Sequence, residues 1–109
     1  MPRVSVIIPI YNGAATIERA LKSVFEQTFT DFEIVVVDDG STDETPAVLA
    51  RFGDRISVVR QRNKGLPGAR NAGVAASRGE LLALIDHDDQ WLPRKLELTV
   101  AAKIGRAHV

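Results

Sequence analysis

Two acidic clusters stand out in the sequence, and each directly follows an apolar run. Asp38-Asp39 comes after the run at 32–37, and Asp86-His87-Asp88-Asp89 comes after the run at 81–85. Carboxylates this close repel one another unless a cation neutralises them, and carboxylate oxygens are the ligands that Mg²⁺ and Mn²⁺ prefer. The Asp-x-Asp spacing therefore indicates a divalent-cation site completed by phosphate oxygens of a ligand. A solvated acidic turn before the next helix is the alternative.

Three side chains, one of them in the first acidic cluster, have the chemistry to bind a nucleotide. Tyr11 follows the apolar run at 4–10 and offers a flat face on which a base can stack, worth about 1–3 kcal/mol. Asp39 would accept a hydrogen bond from a nucleobase N–H or from ribose hydroxyls. Arg70 begins a helical segment, where a guanidinium beside free backbone N–H groups would suit a phosphate or ribose. Surface packing of Tyr11 remains the alternative for that residue.

The apolar pattern predicts the elements that position these residues. Nearly continuous apolar, β-branched runs predict strands at 4–10, 32–37, 56–59 and 81–85. Helical spacing predicts helices at 17–25, from about 43 to 52 and at 69–76, and a last helix with Pro93 in its first turn and Leu96 and Val100 inward. This alternation predicts an α/β fold with a parallel sheet, right-handed crossovers and helices on both faces.

The predicted topology brings the chemistry-bearing loops together. In an open parallel sheet, ligands bind beyond the carboxyl ends of the strands, which is where both acidic clusters, Tyr11 and the loop at 60–70 would lie. The helix at 69–76 presents small residues, Ala69, Ala72, Gly73 and Ala76, at helical spacing. Such a face predicts close approach of that helix to the sheet.

Composition excludes several other kinds of protein. The chain has 109 residues, which allows one domain, and its fourteen basic residues cancel its fourteen acidic ones, which argues against a general nucleic-acid binder. It has no cysteine, and no apolar run approaches the length of a membrane span. A soluble, cytoplasmic domain is expected. Glycine-rich phosphate loops and a nucleophile elbow are absent, and His87 is predicted only to separate the aspartates.

The C-terminal heptapeptide at 103–109 resembles the translation of a common sequencing-adapter sequence. We therefore expect residues 1–102 to be the N-terminal part of an incomplete domain and residues 103–109 to be a non-native tail. A genuine helix end with Gly105 as its cap is the alternative.

Four segments, in order, resemble the N-terminal half of a family 2 glycosyltransferase with the Rossmann-like GT-A fold. They are the residues at 4–12, 37–43 and 63–71, and Asp86-His87-Asp88-Asp89 followed by Trp91, Pro93 and Leu96. The nucleotide-sugar-binding residues that this resemblance implies are Pro9, Tyr11, Asp39, Gly65, Arg70, Asp86 and Asp88.

The resemblance also implies a role for each of these residues. Tyr11 and Asp39 would contact the base, Arg70 the ribose or phosphate, and Pro9 and Gly65 would shape the pocket. Asp86 and Asp88 would form the Asp-x-Asp metal site, with Asp88 as the direct ligand of Mg²⁺ or Mn²⁺ and Asp86 nearer the ribose.

The reaction implied is transfer of a sugar from a nucleotide donor, most often UDP-linked, to an acceptor hydroxyl with inversion. The acceptor would be a saccharide or a lipid-linked group, and the whole protein could be membrane-associated. The general base of the family belongs to the C-terminal half, so this chain is expected to carry no catalytic residue and to be inactive alone.

Two functions outside this class stay open on the residues alone. A receiver-like, Mg²⁺-binding signalling module is suggested by the acidic pair at 38–39, although Arg60 stands where a receiver needs an aspartate. An aspartyl-phosphate phosphatase using Asp86 and Asp88 would need a hydroxyl residue nearby, where the chain has Gln90 and Trp91. A nucleotidyltransferase is a further alternative within the transferases.

Overall fold

The computed structural model describes residues 1–107, with side chains described through Lys103. Strands β1 to β4 are Val4–Ile10, Phe32–Asp38, Ser57–Arg60 and Leu81–Leu84. Helices α1 to α4 are Ile17–Phe25, Thr45–Ala50, Gly65–Ala76 and Lys95–Ala107, and a short 3₁₀ turn covers Gly53–Arg55. Within this described part, no helix combines the length and apolar character needed to cross a membrane. The last two residues of the predicted tail lie outside the described residues.

The four strands form one parallel sheet in the order β3-β2-β1-β4, as predicted. β1 is central: it pairs with β2 from Val4↔Phe32 to Ile10↔Asp38, and its first half pairs with β4. Both faces of a central parallel strand are covered, which explains why every residue of β1 is buried and why the strand is apolar without alternation.

Helices pack on both faces of the sheet, as predicted. The larger core lies on one face, where residues of α1, α2 and α4 pack against alternate residues of β1 and β2. On the other face, α3 covers the sheet, with Ala69 packed against Val35 and Val37. A Cβ at Gly73 would collide with Ile7 Cγ2 and lie 3.3 Å from Val37 Cγ2, so the small inner face of α3 is required for its close approach.

Several element boundaries differ from the predicted ones. α3 begins at Gly65 and not near 69, because Pro67 fits the first helical turn, where its missing N–H would have no partner. α2 is shorter than predicted: Gly53, with φ +54°, begins the 3₁₀ turn. Pro93 lies before α4 and not in its first turn, since its carbonyl accepts a hydrogen bond from the Thr28 N–H at 2.9 Å.

Candidate functional site

A cavity of about 290 Å³ opens at the carboxyl edge of the sheet, beside the start of α3. Its lining residues are Pro9, Ile10, Tyr11, Asp39, Asn63, Gly65, Leu66, Ala69 and His87. The predicted site residues among them are Pro9, Tyr11, Asp39 and Gly65. The others, Arg70, Asp86 and Asp88, lie outside the lining, although each is next in sequence to a lining residue. The structure thus brings the predicted loops to one edge.

Asp39 supplies a firmly held negative charge at this cavity. The residue is 4% exposed, and its carboxylate accepts hydrogen bonds from Gln61 Nε2 at 2.8 Å, Lys64 N at 2.8 Å and Gly65 N at 3.0 Å. Burial by itself raises the pKa of Asp39, but these hydrogen bonds and the Lys64 charge outweigh it and lower the pKa below its usual 3.8. A carboxylate has about four acceptor positions, so a ligand N–H can still be accommodated.

Two glycines allow the backbone to wrap around Asp39. Gly65 has φ +77°, a conformation that side chains with a Cβ rarely adopt, and this directs its N–H to the carboxylate. Gly40 has φ +83°, and a Cβ there would lie 2.9 Å from Asn63 N. The loop after β2 can therefore approach the loop after β3 closely.

Tyr11 lines the cavity from a loop that Asn12 holds in place. Tyr11 is 45% exposed, so its ring is accessible to a ligand. Asn12 adopts φ +52°, and its side-chain oxygen accepts hydrogen bonds from Thr42 N at 2.7 Å and Asp43 N at 3.2 Å. Asparagine tolerates this backbone region better than most residues. The loop after β1 is thereby tied to the loop after β2.

Asp38 has a different role from its neighbour Asp39. It is 1% exposed, and its Oδ1 accepts a hydrogen bond from Ser41 N at 3.0 Å. Ser41 Oγ in turn accepts a hydrogen bond from Asn12 N at 2.9 Å. Asp38 therefore organises the turn behind the cavity. Its Oδ2 is the one buried side-chain oxygen or nitrogen without a partner in the described part of the chain.

The loop that carries Asp86 and Asp88 is anchored by Gln27, which follows the end of α1. Gln27 is buried, and its Nε2 donates to Leu92 O at 2.7 Å while its Oε1 accepts from Leu96 N at 2.9 Å. These bonds fix the position at which the loop enters α4. Asp86 and Asp88 themselves are exposed, one on each side of the lining residue His87 in the sequence.

His87 is a lining residue that sequence reasoning missed. It was predicted only to separate the two aspartates, but its Nδ1 lies 2.9 Å from Thr16 Oγ1 and its ring lines the cavity. No sequence signal points to this contact, because the two residues are 71 positions apart and neither belongs to a periodic pattern.

Arg70 is exposed on α3, one residue beyond the lining residue Ala69. The N–H groups of Lys64 and Gly65, at the observed start of α3, are bound to Asp39. An anion site shared by Arg70 and those two N–H groups is therefore not formed, and a contact of Arg70 with ribose or phosphate stays a prediction.

Sequence comparison identifies relatives of this chain. The family model for glycosyl transferase family 2 matches residues 5–106. An uncharacterized glycosyltransferase of Nostoc sp. is 47% identical over 102 residues, which cover 90% of this chain and 32% of that protein. The succinoglycan biosynthesis protein ExoO of Rhizobium meliloti is 44% identical over 98 residues, covering 88% and 28%. The chain thus spans about a third of the length of these relatives.

Solved structures share the fold. S. aureus TarS in complex with UDP superposes with a TM-score of 0.85 at 34% identity, covering 97% of this chain and 33% of that one. The mannosyltransferase PcManGT from Pyrobaculum calidifontis, in complex with GDP-Man and Mn²⁺, gives a TM-score of 0.77 at 34% identity, covering 94% and 32%. The sheet and helices described above are thus an incomplete GT-A fold, and the chain belongs to glycosyl transferase family 2.

Proposed function

We propose that this chain binds the nucleoside diphosphate part of a nucleotide sugar, as the donor-binding part of a glycosyltransferase. The observation that carries the proposal is the buried, ionised Asp39 carboxylate at a cavity beside the accessible Tyr11 ring. Tyr11 would stack on the base, and Asp39 would accept its N–H. Pro9 and Gly65, which line the same cavity, would shape the pocket.

The proposed donor is UDP-linked. Uracil has one ring N–H between two carbonyl groups, which suits a single remaining acceptor position on Asp39. The structure of TarS, similar in fold and 34% identical, contains UDP, which supports this choice. PcManGT, at the same identity, is in complex with GDP-Man, so a guanine donor is the alternative that the binding experiment below must test.

The donor set fits a divalent cation shared with the diphosphate. Asp86 and Asp88 are exposed and offer hard oxygen ligands on one loop. No group of three or more histidine, cysteine, aspartate or glutamate residues that could hold a metal occurs in the part of the chain described. Mg²⁺ and Mn²⁺ take about six ligands, so diphosphate oxygens and water would have to complete the shell. Asp88 would bind the metal directly, Asp86 would lie nearer the ribose, and the cation would supply charge stabilisation.

The reaction proposed for the whole protein is sugar transfer with inversion. An acceptor hydroxyl, on a saccharide or a lipid-linked group, would lose its proton to a general base and bond to the anomeric carbon. The bond to the diphosphate would break with its electron pair on the leaving oxygen. The expected general base belongs to a part of family 2 proteins that this chain does not match. We therefore propose that this chain binds the nucleotide-sugar donor without completing sugar transfer. We also propose that Arg70 contacts the ribose or phosphate of that donor.

Calorimetry of the 109-residue chain with UDP, in Mn²⁺ and in chelator, tests this proposal. We expect UDP to bind at least about tenfold more tightly with Mn²⁺, and Asp88→Ala to remove that difference. Asp54→Ala is the matched control, because it removes the same charge from the exposed 3₁₀ turn away from the cavity. Equal UDP binding with and without Mn²⁺ would contradict the metal site, and tighter binding of GDP than of UDP would contradict the choice of base.

A further inference from the structure

The contact between His87 and Thr16 holds one edge of the imidazole ring in place. Thr16 immediately precedes α1, and its N–H donates to Gly13 O at 3.1 Å. The Thr16 hydroxyl oxygen lies 2.9 Å from His87 Nδ1 and 3.3 Å from Gly13 O. The ring of His87 is thereby fixed relative to the start of α1, whereas Asp86 and Asp88 on either side of it are exposed.

Packing against Gly13 fixes the ring from a second side. A Cβ built at Gly13 would lie 2.7 Å from His87 Nδ1 and 2.6 Å from Ile10 Cδ1. The ring therefore occupies the space that a side chain at position 13 would need. A histidine held by one hydrogen bond and one close backbone contact has little freedom to rotate.

The opposite edge of the ring is available to a ligand. Within the described residues, Nε2 has no hydrogen-bond partner, yet it is not among the buried atoms that lack one. His87 lines the cavity together with Tyr11 and Asp39. The two nitrogens lie on different edges of the imidazole, so an Nδ1 engaged by Thr16 leaves Nε2 for the cavity.

We propose that His87 is a donor-binding residue whose Nε2–H donates a hydrogen bond to a phosphate oxygen of the nucleoside diphosphate. The Thr16 hydroxyl has one hydrogen, and its contact with Nδ1 at 2.9 Å is shorter than that with Gly13 O at 3.3 Å, which favours donation to Nδ1. That direction keeps the ring proton on Nε2, and Thr16 is a positioning residue. The diphosphate is the partner because His87 lies between the two aspartates proposed for its cation, while the base belongs to Tyr11 and Asp39. This inference rests on the proposed function.

Binding of UDP and of uridine to the 109-residue chain, each with Mn²⁺, separates this role from a structural one. At position 87, glutamine carries an amide nitrogen about as far out as Nε2, whereas asparagine reaches only about as far as Nδ1. We expect His87→Asn to weaken UDP binding about tenfold without changing uridine binding, and His87→Gln to retain most UDP affinity. Thr16→Val, which removes the hydroxyl, should weaken UDP binding without changing uridine binding. Thr16→Ser, which keeps the hydroxyl, should bind UDP about as tightly as the wild type.

Three results would overturn the inference. His87→Asn could retain UDP affinity while His87→Gln loses it. That result would mean that the ring only anchors the loop through Nδ1. Equal losses for UDP and uridine would assign the contact to folding, and unchanged affinity in His87→Asn would remove any role for Nε2. If the wild-type chain fails to bind UDP, the proposed function fails first, which distinguishes the two failures.

Discussion

The Gly65 N–H lies 3.0 Å from Asp39 Oδ2, so the first residue of α3 is bound to the loop that follows β2. Lys64 N donates to the other oxygen of the same carboxylate at 2.8 Å. A negative charge at a helix N-terminus is favourable, because the backbone N–H groups there lack partners within the helix. The start of α3 and the position of the cavity's charge therefore depend on each other.

Asp39→Asn should destabilise the fold as well as weaken binding. An amide has one acceptor oxygen in place of two, so an N–H at the start of α3 loses its partner. We expect the free energy of unfolding in urea to fall by about 1–3 kcal/mol. Asp54→Asn, on the exposed 3₁₀ turn, should change it by less than about 0.5 kcal/mol. An Asp39→Asn chain as stable as the wild type would show that the helix start does not need the carboxylate.

Stability should fall in acid through Glu33. Its side chain is 11% exposed, and burial alone raises its pKa. Hydrogen bonds from Ser5 Oγ at 2.5 Å and from Arg78 N at 2.6 Å, with the Arg78 charge, outweigh burial and lower the pKa below the usual 4.5. Since the folded-state pKa is the lower one, the unfolded chain binds the proton first as pH falls. The stabilisation is complete above pH 4.5 and is lost as pH falls from there through the folded-state pKa.

Urea denaturation over a series of pH values tests this. Glu33→Gln should be less stable than the wild type at neutral pH, with a difference that shrinks below about pH 4.5. Glu80→Gln, which removes an exposed partner of Arg3, is the control and should leave the pH profile nearly unchanged. A constant difference between Glu33→Gln and the wild type at all pH values would exclude Glu33 as the titrating group.

Gln27→Leu should loosen the connection between the segment after α1 and the loop that carries Asp86 and Asp88. Leucine leaves the Leu96 N–H and the Leu92 carbonyl without the partners that Gln27 provides. We expect a loss of about 1–3 kcal/mol in the free energy of unfolding. Gln90→Leu, at an exposed position of the same loop, is the matched control. If the two variants are equally stable, the hydrogen bonds of the buried Gln27 amide do not contribute to the free energy of unfolding.

Gly73→Ala should destabilise the chain, although alanine favours helices by about 1 kcal/mol over glycine. The added Cβ would collide with Ile7 Cγ2, and relieving that collision moves α3 away from the sheet at a cost of about 1–3 kcal/mol. Thermal unfolding of Gly73→Ala, Ile7→Ala and the double variant forms a cycle. The double variant should be more stable than the sum of the single losses, and strict additivity would show that the two sites do not touch.

Local patterns were sufficient for the scaffold. The apolar runs identify all four strands, and the spacing of Ala69 and Gly73 identifies the face on which α3 meets the sheet. Helix starts were less accurate, because Pro67 is equally compatible with a loop and with a first helical turn. The apolar pattern also located the loops that carry the predicted site residues, since each of these loops follows a strand.

Pairings across the site could not be predicted. The partners of Asp39 come from the loop after β3, and the partner of His87 comes from the start of α1. Such contacts depend on how loops approach one another in space, which no periodic pattern encodes. Family membership now disfavours the receiver-like and phosphatase alternatives that the residues alone left open.

Tyr11, Asp39 and His87 follow three neighbouring strands, with β1 between β2 and β4. Neighbouring strands lie about 4.8 Å apart, so β2 and β4 stay about 10 Å apart across the sheet through backbone hydrogen bonds alone. The sheet therefore fixes the width of the space in which a ligand binds between these residues. Crossover helices can gain or lose residues without altering that width, whereas a one-residue slip of β4 along β1 would turn its side chains to the opposite face and displace the aspartates.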